Sequence, residues 1–300
     1  MNTKDQIKIL WLESGDLYTI RRGIESGKKR GIIVDCVDIL DLKQSTENPS
    51  CIVFNNITNV VESYDAIIIR TLMPYISEII TIARFFKDAG KVVVDQSLTD
   101  EGYALSKMHD YVLLSSSKVD VPRTFQSFDL SEIEKYADTL GFPCILKGIH
   151  GSEGRNVFKV DTIQQLRHTL WRYKPGEIMI QEFLPAEYDF RVITVGYKAL
   201  PVMVRRKPQP GEFRTNFDFK EEVISIKTDD FLDMKYLAEK AAQVLRREFS
   251  GVDIRYRNNT PLVLEANRRP GFKGFEEATG YDVAGSFIEY VYDLCLRNNA

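Results

Sequence analysis

The sequence predicts an α/β protein that begins with a parallel sheet covered by helices. Four short apolar runs in the first hundred residues, IKILWL, IIVDCVDIL, AIIIRTL and KVVVD, have the length and composition of buried strands. Helical spacing in SEIITIARFFKDAG separates the last two runs and ends at Gly90. Such alternation is typical of parallel sheets packed against helices. We therefore expect an N-terminal α/β domain over residues 1–100, and the absence of GxGxxG after the first run argues against a Rossmann dinucleotide site.

Composition limits the classes of protein to which the chain can belong. Its 300 residues, 44% hydrophobic and 28% charged, are typical of a globular protein with two or three lobes. A net charge of -3 lacks the basic excess of a nucleic-acid-binding protein. Without a signal peptide or a bilayer-length apolar run, a cytoplasmic location and no membrane partner are expected. Cysteines without CxxC pairing and three scattered histidines argue against zinc.

The rest of the chain mixes helical and strand patterns. Helical patterns occur in ALSKMHDYVLLSSS, in SEIEKYADTL, which ends at Gly141, in DMKYLAEKAAQVLRREF, and from about Val283 to Arg297. Strand patterns occur in PCILKGI, RNVFKV, EIMIQEFL, DFRVITVGYKALPVMVRRK, GVDIRY and PLVLEAN. No long linker separates these segments, so the lobes are expected to pack together.

Two of these strands carry acidic residues in apolar surroundings. GVDIRY and PLVLEAN flank a turn-forming segment, which predicts a hairpin with Asp253 opposite Glu265. Like charges facing each other across a sheet are destabilising, and a cation between them would reverse the effect. Asn267 shares the face of Glu265 because side chains alternate along a strand. This all-oxygen set favours magnesium over calcium, which takes more oxygens; an exposed polar strand end is the alternative.

Three segments have features of phosphate binding. The loop HGSEG (150–154) carries glycines whose N–H groups can approach phosphates closely, although plain hairpin turns share this pattern. Lys147 lies in the otherwise apolar PCILKGI, where a lysine needs an anionic partner or an exposed edge. RRKPQPGEFRTN supplies Arg205, Arg206 and Arg214, which suit phosphate or carboxylate recognition, and a solvated loop is the alternative.

In order along the chain, these motifs resemble those of the ATP-grasp ligases. The resemblance rests on VPRTF, GFPCILKGIHGSEGRNV, IMIQEFLPAEYDFRVITVG, VRRKPQPGEFRTN, GVDIRY and PLVLEANRRPGFKGFEEATGYDVAG. It is strongest to the RimK-like branch, which includes ribosomal-protein glutamate ligases, and covers roughly residues 105–297. It implies an ATP-grasp fold after the N-terminal domain, with a small lobe carrying the glycine-rich loop over 101–180 and a C-terminal lobe carrying the magnesium site over 181–300.

The resemblance also assigns roles to individual residues. In the family, lysines contact the nucleotide phosphates, a hinge contacts the adenine and an aspartate lies near the ribose. The family's nucleotide contacts correspond to these residues of the present sequence: Lys107, Lys147, Gly151, Ser152, Gly154, Glu182, Phe183, Asp189, Arg214 and Asn216. The magnesium ligands map onto Asp253, Glu265 and Asn267. Arg205 and Arg214 are the expected catalytic residues, with Arg205 or Arg206 stabilising the acylphosphate or the tetrahedral species that follows it.

The implied reaction joins a carboxylate and an amine. A substrate carboxylate attacks the γ-phosphate of ATP, ADP leaves, and an amine displaces phosphate from the acylphosphate. The cofactors are ATP and Mg2+, with Mn2+ as a substitute, and the partners are an acid and an amine or amino acid, with self-association into a homo-oligomer. Two alternatives stay open: a macrocyclase acting on ribosomally made peptides, and a non-catalytic ATP-binding regulatory protein.

Two departures from the family bear on the substrate. Where family members continue GEFRxN with His-Arg-Gly, this chain has Asn216-Phe217-Asp218-Phe219-Lys220. Arg268 and Arg269 stand where family members have small residues, and they either bind an acidic substrate or form a solvated loop. Both departures put transfer of the ribosomal-protein substrate in doubt and leave the nucleotide chemistry unchanged.

Overall fold

The computed structural model describes residues 6–46, 51–53, 59–100, 105–150, 156–185, 187–214 and 220–298. The helices are α1 (Leu17–Lys29), α2 (Val60–Ser63), α3 (Ile76–Asp88), α4 (Lys107–Ser116), α5 (Leu130–Leu140), α6 (Ile163–Leu170), α7 (Leu232–Val244), α8 (Lys273–Thr279) and α9 (Val283–Asn298). The strands are β1 (Lys8–Leu12), β2 (Ile33–Val37), β3 (Lys43–Ser45), β4 (Cys51–Val53), β5 (Ala66–Ile69), β6 (Val92–Val94), β7 (Thr124–Phe125), β8 (Cys144–Gly148), β9 (Val157–Val160), β10 (Ile178–Glu182), β11 (Asp189–Val195), β12 (Lys198–Ala199), β13 (Val202–Pro208), β14 (Lys220–Lys227), β15 (Phe249–Arg257) and β16 (Thr260–Asn267).

The N-terminal strands form the predicted parallel sheet, in the order β2-β1-β5-β6. Its strands are apolar because helices cover both faces. The helix α1 was not predicted, since its sequence is mostly polar, but Asp16 accepts a hydrogen bond from the Thr19 N–H at 3.0 Å and so caps its first turn. Because β1 and β5 are parallel neighbours, their carboxyl ends place Glu13 and Arg70 at the same edge of the sheet.

Two antiparallel sheets follow along the chain. The order β7-β10-β8-β9 forms one sheet, which packs its apolar face against α5 and α6. The order β14-β13-β11-β15-β16 forms the other, with β12 paired to β11. One face of this second antiparallel sheet packs on α7, and the opposite face packs on α8, α9 and the N-terminal sheet. The mixed α/β class is therefore confirmed, and the boundaries at 100 and 180 stay a prediction. Within the described ranges, none of the helices combines the length and apolar character that a bilayer-spanning segment needs.

The helical pattern in DMKYLAEKAAQVLRREF extends beyond the helix that forms. The helix α7 ends at Val244, and Phe249 already belongs to β15. Arg246 adopts a positive φ of 51°, which turns the chain, and the Arg247 N–H reaches back to the Ala242 carbonyl at 2.9 Å. The predicted extension of the helix to residue 249 is therefore wrong, because Phe249, the apolar residue at its end, belongs to a strand rather than to the helical face.

The first and last parts of the chain share a core beside which Glu248 lies buried. Phe249 stacks on Phe287 with ring centroids 4.2 Å apart, and Trp11 meets Phe287 edge-on at 5.7 Å. The Glu248 carboxylate accepts hydrogen bonds from the Gln96 N–H at 2.8 Å and the Tyr290 hydroxyl at 2.9 Å. Residues distant in the chain are therefore joined by apolar and polar contacts at one junction.

Stability should depend on the protonation of Glu248. Burial and then the Asp95 carboxylate raise the pKa of Glu248 from 4.5 to about 7. Because Glu248 has a higher pKa in the folded protein than in the unfolded chain, the folded protein binds the proton more tightly and this carboxyl stabilises the fold at low pH. The free energy of unfolding should therefore fall by about 1–3 kcal/mol as the pH rises from 4.5 through about 7. Urea unfolding at several pH values measures this slope, and Glu248→Gln should flatten it. Equal slopes in the wild type and the variant would contradict the assignment.

Candidate active site

A cavity of about 990 Å³ opens where the lobes meet. Nucleotide and metal candidates from the sequence converge on its wall although they come from different lobes: Lys107, Lys147, Glu182, Phe183, Asp189, Arg214, Asp253, Glu265 and Asn267. Gly148, His150 and Asn156 line the same cavity on either side of segment 151–155. The convergence makes this cavity the candidate active site.

The acidic pair is brought together by a turn and a bulge. Asn258 and Asn259 have φ values of 50° and 65°, as a two-residue type I′ turn requires. Counting back from this turn alone would pair Asp253 with Leu264. A β-bulge that leaves Leu264 unpaired shifts the register, and Asp253 pairs with Glu265. The predicted pairing is confirmed, although the bulge that produces it has no signal in the apolar pattern.

Asp253 is neutralised by two arginines of the same sheet. Arg191 donates from Nε and Nη2 to the two Asp253 oxygens at 2.8 and 2.7 Å. Arg206 donates to Asp253 at 2.9 Å and to the two Asp189 oxygens at 2.7 and 3.0 Å. Burial alone would raise the pKa of Asp253, but Arg191 and Arg206 outweigh it and hold the pKa below its ordinary value. The like-charge conflict with Glu265 is thus relieved by side chains of the protein, which the sequence-based argument for a metal did not include.

Two lysines stand near Glu265. Lys147 is buried and donates from Nζ to the Tyr111 hydroxyl at 3.0 Å, which in turn donates to the Leu264 carbonyl at 2.6 Å. The bulge residue therefore helps to orient Lys147. Burial lowers the pKa of Lys107, and the Lys147 ammonium lowers it further against the attraction of Glu265. Two neighbouring ammonium groups make this end of the cavity suitable for an anion.

The acidic end of the cavity fits a magnesium ion that arrives with nucleotide phosphates. Glu265 and Asn267 occupy alternate positions of β16, share one face and line the cavity. One or two protein oxygens, completed by waters and phosphate oxygens, are what magnesium commonly uses. The Asp253 oxygens already bind Arg191 and Arg206. No group of three or more His, Cys, Asp or Glu that could hold a metal occurs in the part of the chain that the structure describes.

The predicted adenine hinge lies at the end of β10. The Glu182 carboxylate accepts hydrogen bonds from the Arg123 N–H at 2.8 Å, the Arg123 guanidinium at 2.9 Å and Arg257 at 2.6 Å. Burial would raise the pKa of Glu182, but these partners outweigh it and lower the pKa. The carboxylate is therefore committed to ion pairs, whereas the Phe183 ring lies in the cavity wall.

The predicted catalytic arginines have different positions. Arg214 lines the cavity and binds Glu212 through Nε and Nη2 at 3.0 and 2.7 Å, which lowers the pKa of Glu212 to about 2. Arg205 does not line the cavity, and its guanidinium lies 4.4 Å from the centre of the Tyr188 ring. Neighbouring residues of a strand point to opposite faces. The structure therefore brings Arg206, rather than Arg205, to the face that carries the acidic residues.

Some predicted contacts lie where the structure gives no description. Gly151, Ser152 and Gly154 of the glycine-rich loop, and Asn216 of GEFRTN, are outside the described residues. Their roles therefore stay predictions.

The N-terminal domain contributes wall residues that were not predicted. Ser14, Gly15 and Asp16 follow β1, and Arg70 follows β5. Arg70 shares a sequence feature with Lys147, since both are cationic residues inside an otherwise apolar run. Arg268 and Arg269 were predicted either to bind an acidic substrate or to form a solvated loop. Arg269 lines the cavity, whereas Arg268 binds Asp95 and the Ser97 hydroxyl.

Comparison with known proteins agrees with the fold. The model of the RimK-like ATP-grasp domain matches residues 104–291. A probable alpha-L-glutamate ligase 1 of Hahella chejuensis (strain KCTC 2396) is 31% identical over 283 residues, covering 91% of this chain and 91% of that protein. A probable alpha-L-glutamate ligase of Serratia proteamaculans (strain 568) is 28% identical over 284 residues, covering 92% of each chain.

Solved structures share the fold at low identity. The ATP-grasp ligase PsnB, complexed with a minimal precursor, has a TM-score of 0.73 at 19% identity, covering 98% of this chain and 100% of that chain. The macrocyclase MdnC from Microcystis aeruginosa MRC, bound with the precursor peptide MdnA, has a TM-score of 0.70 at 12% identity, covering 96% of this chain and 100% of that chain. The fold and the cavity define an ATP-grasp ligase. Within that class, the chain belongs to the RimK-like ATP-grasp family.

Proposed function

We propose that this ligase joins an amino acid, with glutamate as the first candidate, to a carboxylate on a peptide, protein or small metabolite, and releases ADP and phosphate. One observation carries the proposal: Lys107, Lys147, Glu265 and Asn267 converge on one cavity from separate lobes. Whole-length relatives named as probable alpha-L-glutamate ligases support the choice of glutamate. The resemblance to a macrocyclase is at the level of fold, so cyclisation is not the leading proposal.

In this proposal the lysines hold the ATP phosphates. Phosphoryl transfer depends on positioning and on neutralising charge. Lys147 is fixed by Tyr111, and a phosphate between the two ammonium groups would offset the repulsion between Lys107 and Lys147. Glu265 and Asn267 would hold Mg2+, or Mn2+ as a substitute, which supplies charge neutralisation at the phosphates. Phe183, which lies in the cavity wall, would lie against the adenine.

The reaction then proceeds in two displacements. A substrate carboxylate oxygen attacks the γ-phosphorus, the bond to the bridging oxygen breaks, and ADP leaves. The amine nitrogen attacks the acyl carbon, loses a proton, and phosphate departs with the carboxylate oxygen. The walls contributed by three lobes restrict access of water to the acylphosphate.

Lys147→Met should weaken nucleotide binding strongly. It removes a buried cation from the phosphates, and losing a hydrogen bond to a charged group costs about 1.5–3 kcal/mol, or about tenfold to a hundredfold in Kd. Isothermal titration with Mg·ADP measures this loss, and thermal unfolding shows whether the variant is folded. Lys135→Met, at an exposed lysine paired with Glu132, is the matched control. Equal affinity of Lys147→Met and the wild type would remove Lys147 from the nucleotide site.

The substrate is identified by searching for new amide products. Cell extract is incubated with ATP, magnesium and the protein, and mass spectrometry compares the products with those of a Glu265→Ala sample. A product heavier by an amino-acid residue, present with wild type alone, is the expected result. ADP formation without any amide product that depends on the enzyme would contradict the ligase proposal.

A further inference from the structure

Two residues that line the end of the cavity formed by the N-terminal domain each have a buried polar atom without a hydrogen-bond partner among the described residues. Arg70 is 2% exposed and donates from Nε to Glu13 at 2.7 Å and from Nη2 to the Pro270 carbonyl at 3.0 Å. Its Nη1 has no hydrogen-bond partner among the described residues, and neither has the buried hydroxyl of Ser14. Both residues line the cavity. Buried polar groups are rarely left unpaired, so two at one place indicate a ligand.

The charges at this end favour an anion. Glu13 is buried, and its two oxygens are bound separately by Arg70 and Arg269. Arg269 also donates to the Ser14 carbonyl at 2.8 Å. Two guanidinium groups therefore share a single carboxylate. The nearby Asp16 carboxylate is occupied in capping α1, and burial lowers the pKa of Arg70 despite Glu13, as expected for a cation that is incompletely compensated.

This end lies next to the proposed phosphate end. Pro270, which binds Arg70 through its carbonyl, packs so closely on Gly251 that an added Cβ would lie 2.8 Å from the proline ring. Gly251 is the cross-strand partner of Asn267, one of the proposed magnesium ligands. A ligand held at Arg70 would thus share the cavity with the γ-phosphate without occupying its place.

We propose that Arg70, Arg269 and the Ser14 hydroxyl bind a carboxylate that is not activated in the reaction, and so select an acidic substrate. Guanidinium groups suit this role because their fork matches a carboxylate. The inference rests on the proposed ligase function and adds the chemical class of one substrate to it. The carboxylate belongs either to a free dicarboxylic amino acid or to an acidic residue of a peptide.

Trp11 provides a direct reporter of this site. Arg70 lies 5.9 Å from the centre of the Trp11 ring, which is fully buried. The sequence has only two tryptophans, and the other, Trp171, is 86% exposed. In a Trp171→Phe protein, fluorescence excited selectively at tryptophan therefore comes from Trp11 alone. A carboxylate that binds Arg70 changes the charge beside the ring and should change its emission.

The test titrates Trp171→Phe protein with glutarate and, as a neutral analogue, glutaramide. Glutarate should produce a saturable change and glutaramide none. Arg70→Lys keeps a cation beside Glu13 but loses Nη1, and Ser14→Ala loses the hydroxyl; each should weaken the response to glutarate about tenfold or more. Arg21→Ala, at an exposed arginine outside the cavity, should leave it unchanged. L-glutamate and a short peptide ending in glutamate then distinguish the two sources.

The outcomes separate this inference from the ligase proposal. If the protein binds Mg·ADP in titration calorimetry but gives no saturable response to glutarate, L-glutamate or the peptide, the carboxylate site is overturned and the ligase proposal is not. An equal response in Arg70→Lys and Ser14→Ala also overturns it, as does a response to inorganic phosphate in place of glutarate. A response to glutarate without Mg·ADP binding supports the carboxylate site and contradicts the proposed function.

Discussion

Replacing Glu265 by alanine should lower the rate of ADP formation about a thousandfold while leaving the protein folded. A metal ion supplies several kcal/mol of charge stabilisation, and each 1.36 kcal/mol corresponds to about tenfold in rate. Glu265 is half-buried and lies near Lys107 and Lys147. Together with Asn267 it lines the cavity and offers the oxygen atoms that fit magnesium. Its loss should therefore affect chemistry far more than packing.

The measurement is a coupled ADP assay at several magnesium concentrations, with thermal unfolding run in parallel. Glu289→Ala removes an exposed carboxylate on α9 and serves as the matched control. A Glu265→Ala protein that keeps its magnesium-dependent rate would show that this carboxylate does not serve the nucleotide. A variant that loses activity together with its unfolding transition would show that Glu265 supports the fold instead.

Replacing Asp253 by alanine should instead destabilise the protein, by about 3–5 kcal/mol, because removing one partner of a buried ion pair leaves uncompensated charge. Asp253 binds Arg191 through two hydrogen bonds and Arg206 through a third, so its loss removes one of the negative charges that compensate these two arginines. Urea unfolding at neutral pH measures the loss.

Asp229→Ala is the control for this change, since Asp229 is an exposed carboxylate paired with Lys235 at 2.7 Å. Exposed pairs contribute about 0–1 kcal/mol. Equal stability of the Asp253→Ala protein and the control would contradict the buried network. The two acidic residues of the hairpin thus have separable expected effects, one on stability and one on rate.

The pattern of apolar residues predicted the parts of the fold that depend on burial. Strands with continuous apolar runs were recognised because both of their faces are covered, and the hairpin was recognised from its turn formers. The helix α1 was not, because its exposed face is polar and its signal is the cap at Asp16. The end of α7 was misplaced because apolar spacing continues into β15, whereas the helix ends before Arg246, where the backbone adopts a positive φ.

The site was predicted best where a charged residue interrupts an apolar run. Lys147 was found in this way, and Arg70 has the same signal in AIIIRTL but was read as part of a strand. The choice between Arg205 and Arg206 depends on which face of β13 packs inward, and sequence spacing does not decide this without the pairing to β11. The neutralisation of Asp253 could not be predicted, since it depends on three strands placed side by side.

The most direct test follows an oxygen atom from the acid to the released phosphate. Wild-type and Glu265→Ala proteins are incubated with ATP, magnesium and a panel of amino acids and acidic peptides whose carboxylates carry 18O, and the products are analysed by mass spectrometry. Activation through an acylphosphate predicts ADP and phosphate carrying one 18O atom, with wild type alone. Release of AMP and pyrophosphate, or of unlabelled phosphate from both proteins, would contradict carboxylate activation at this cavity.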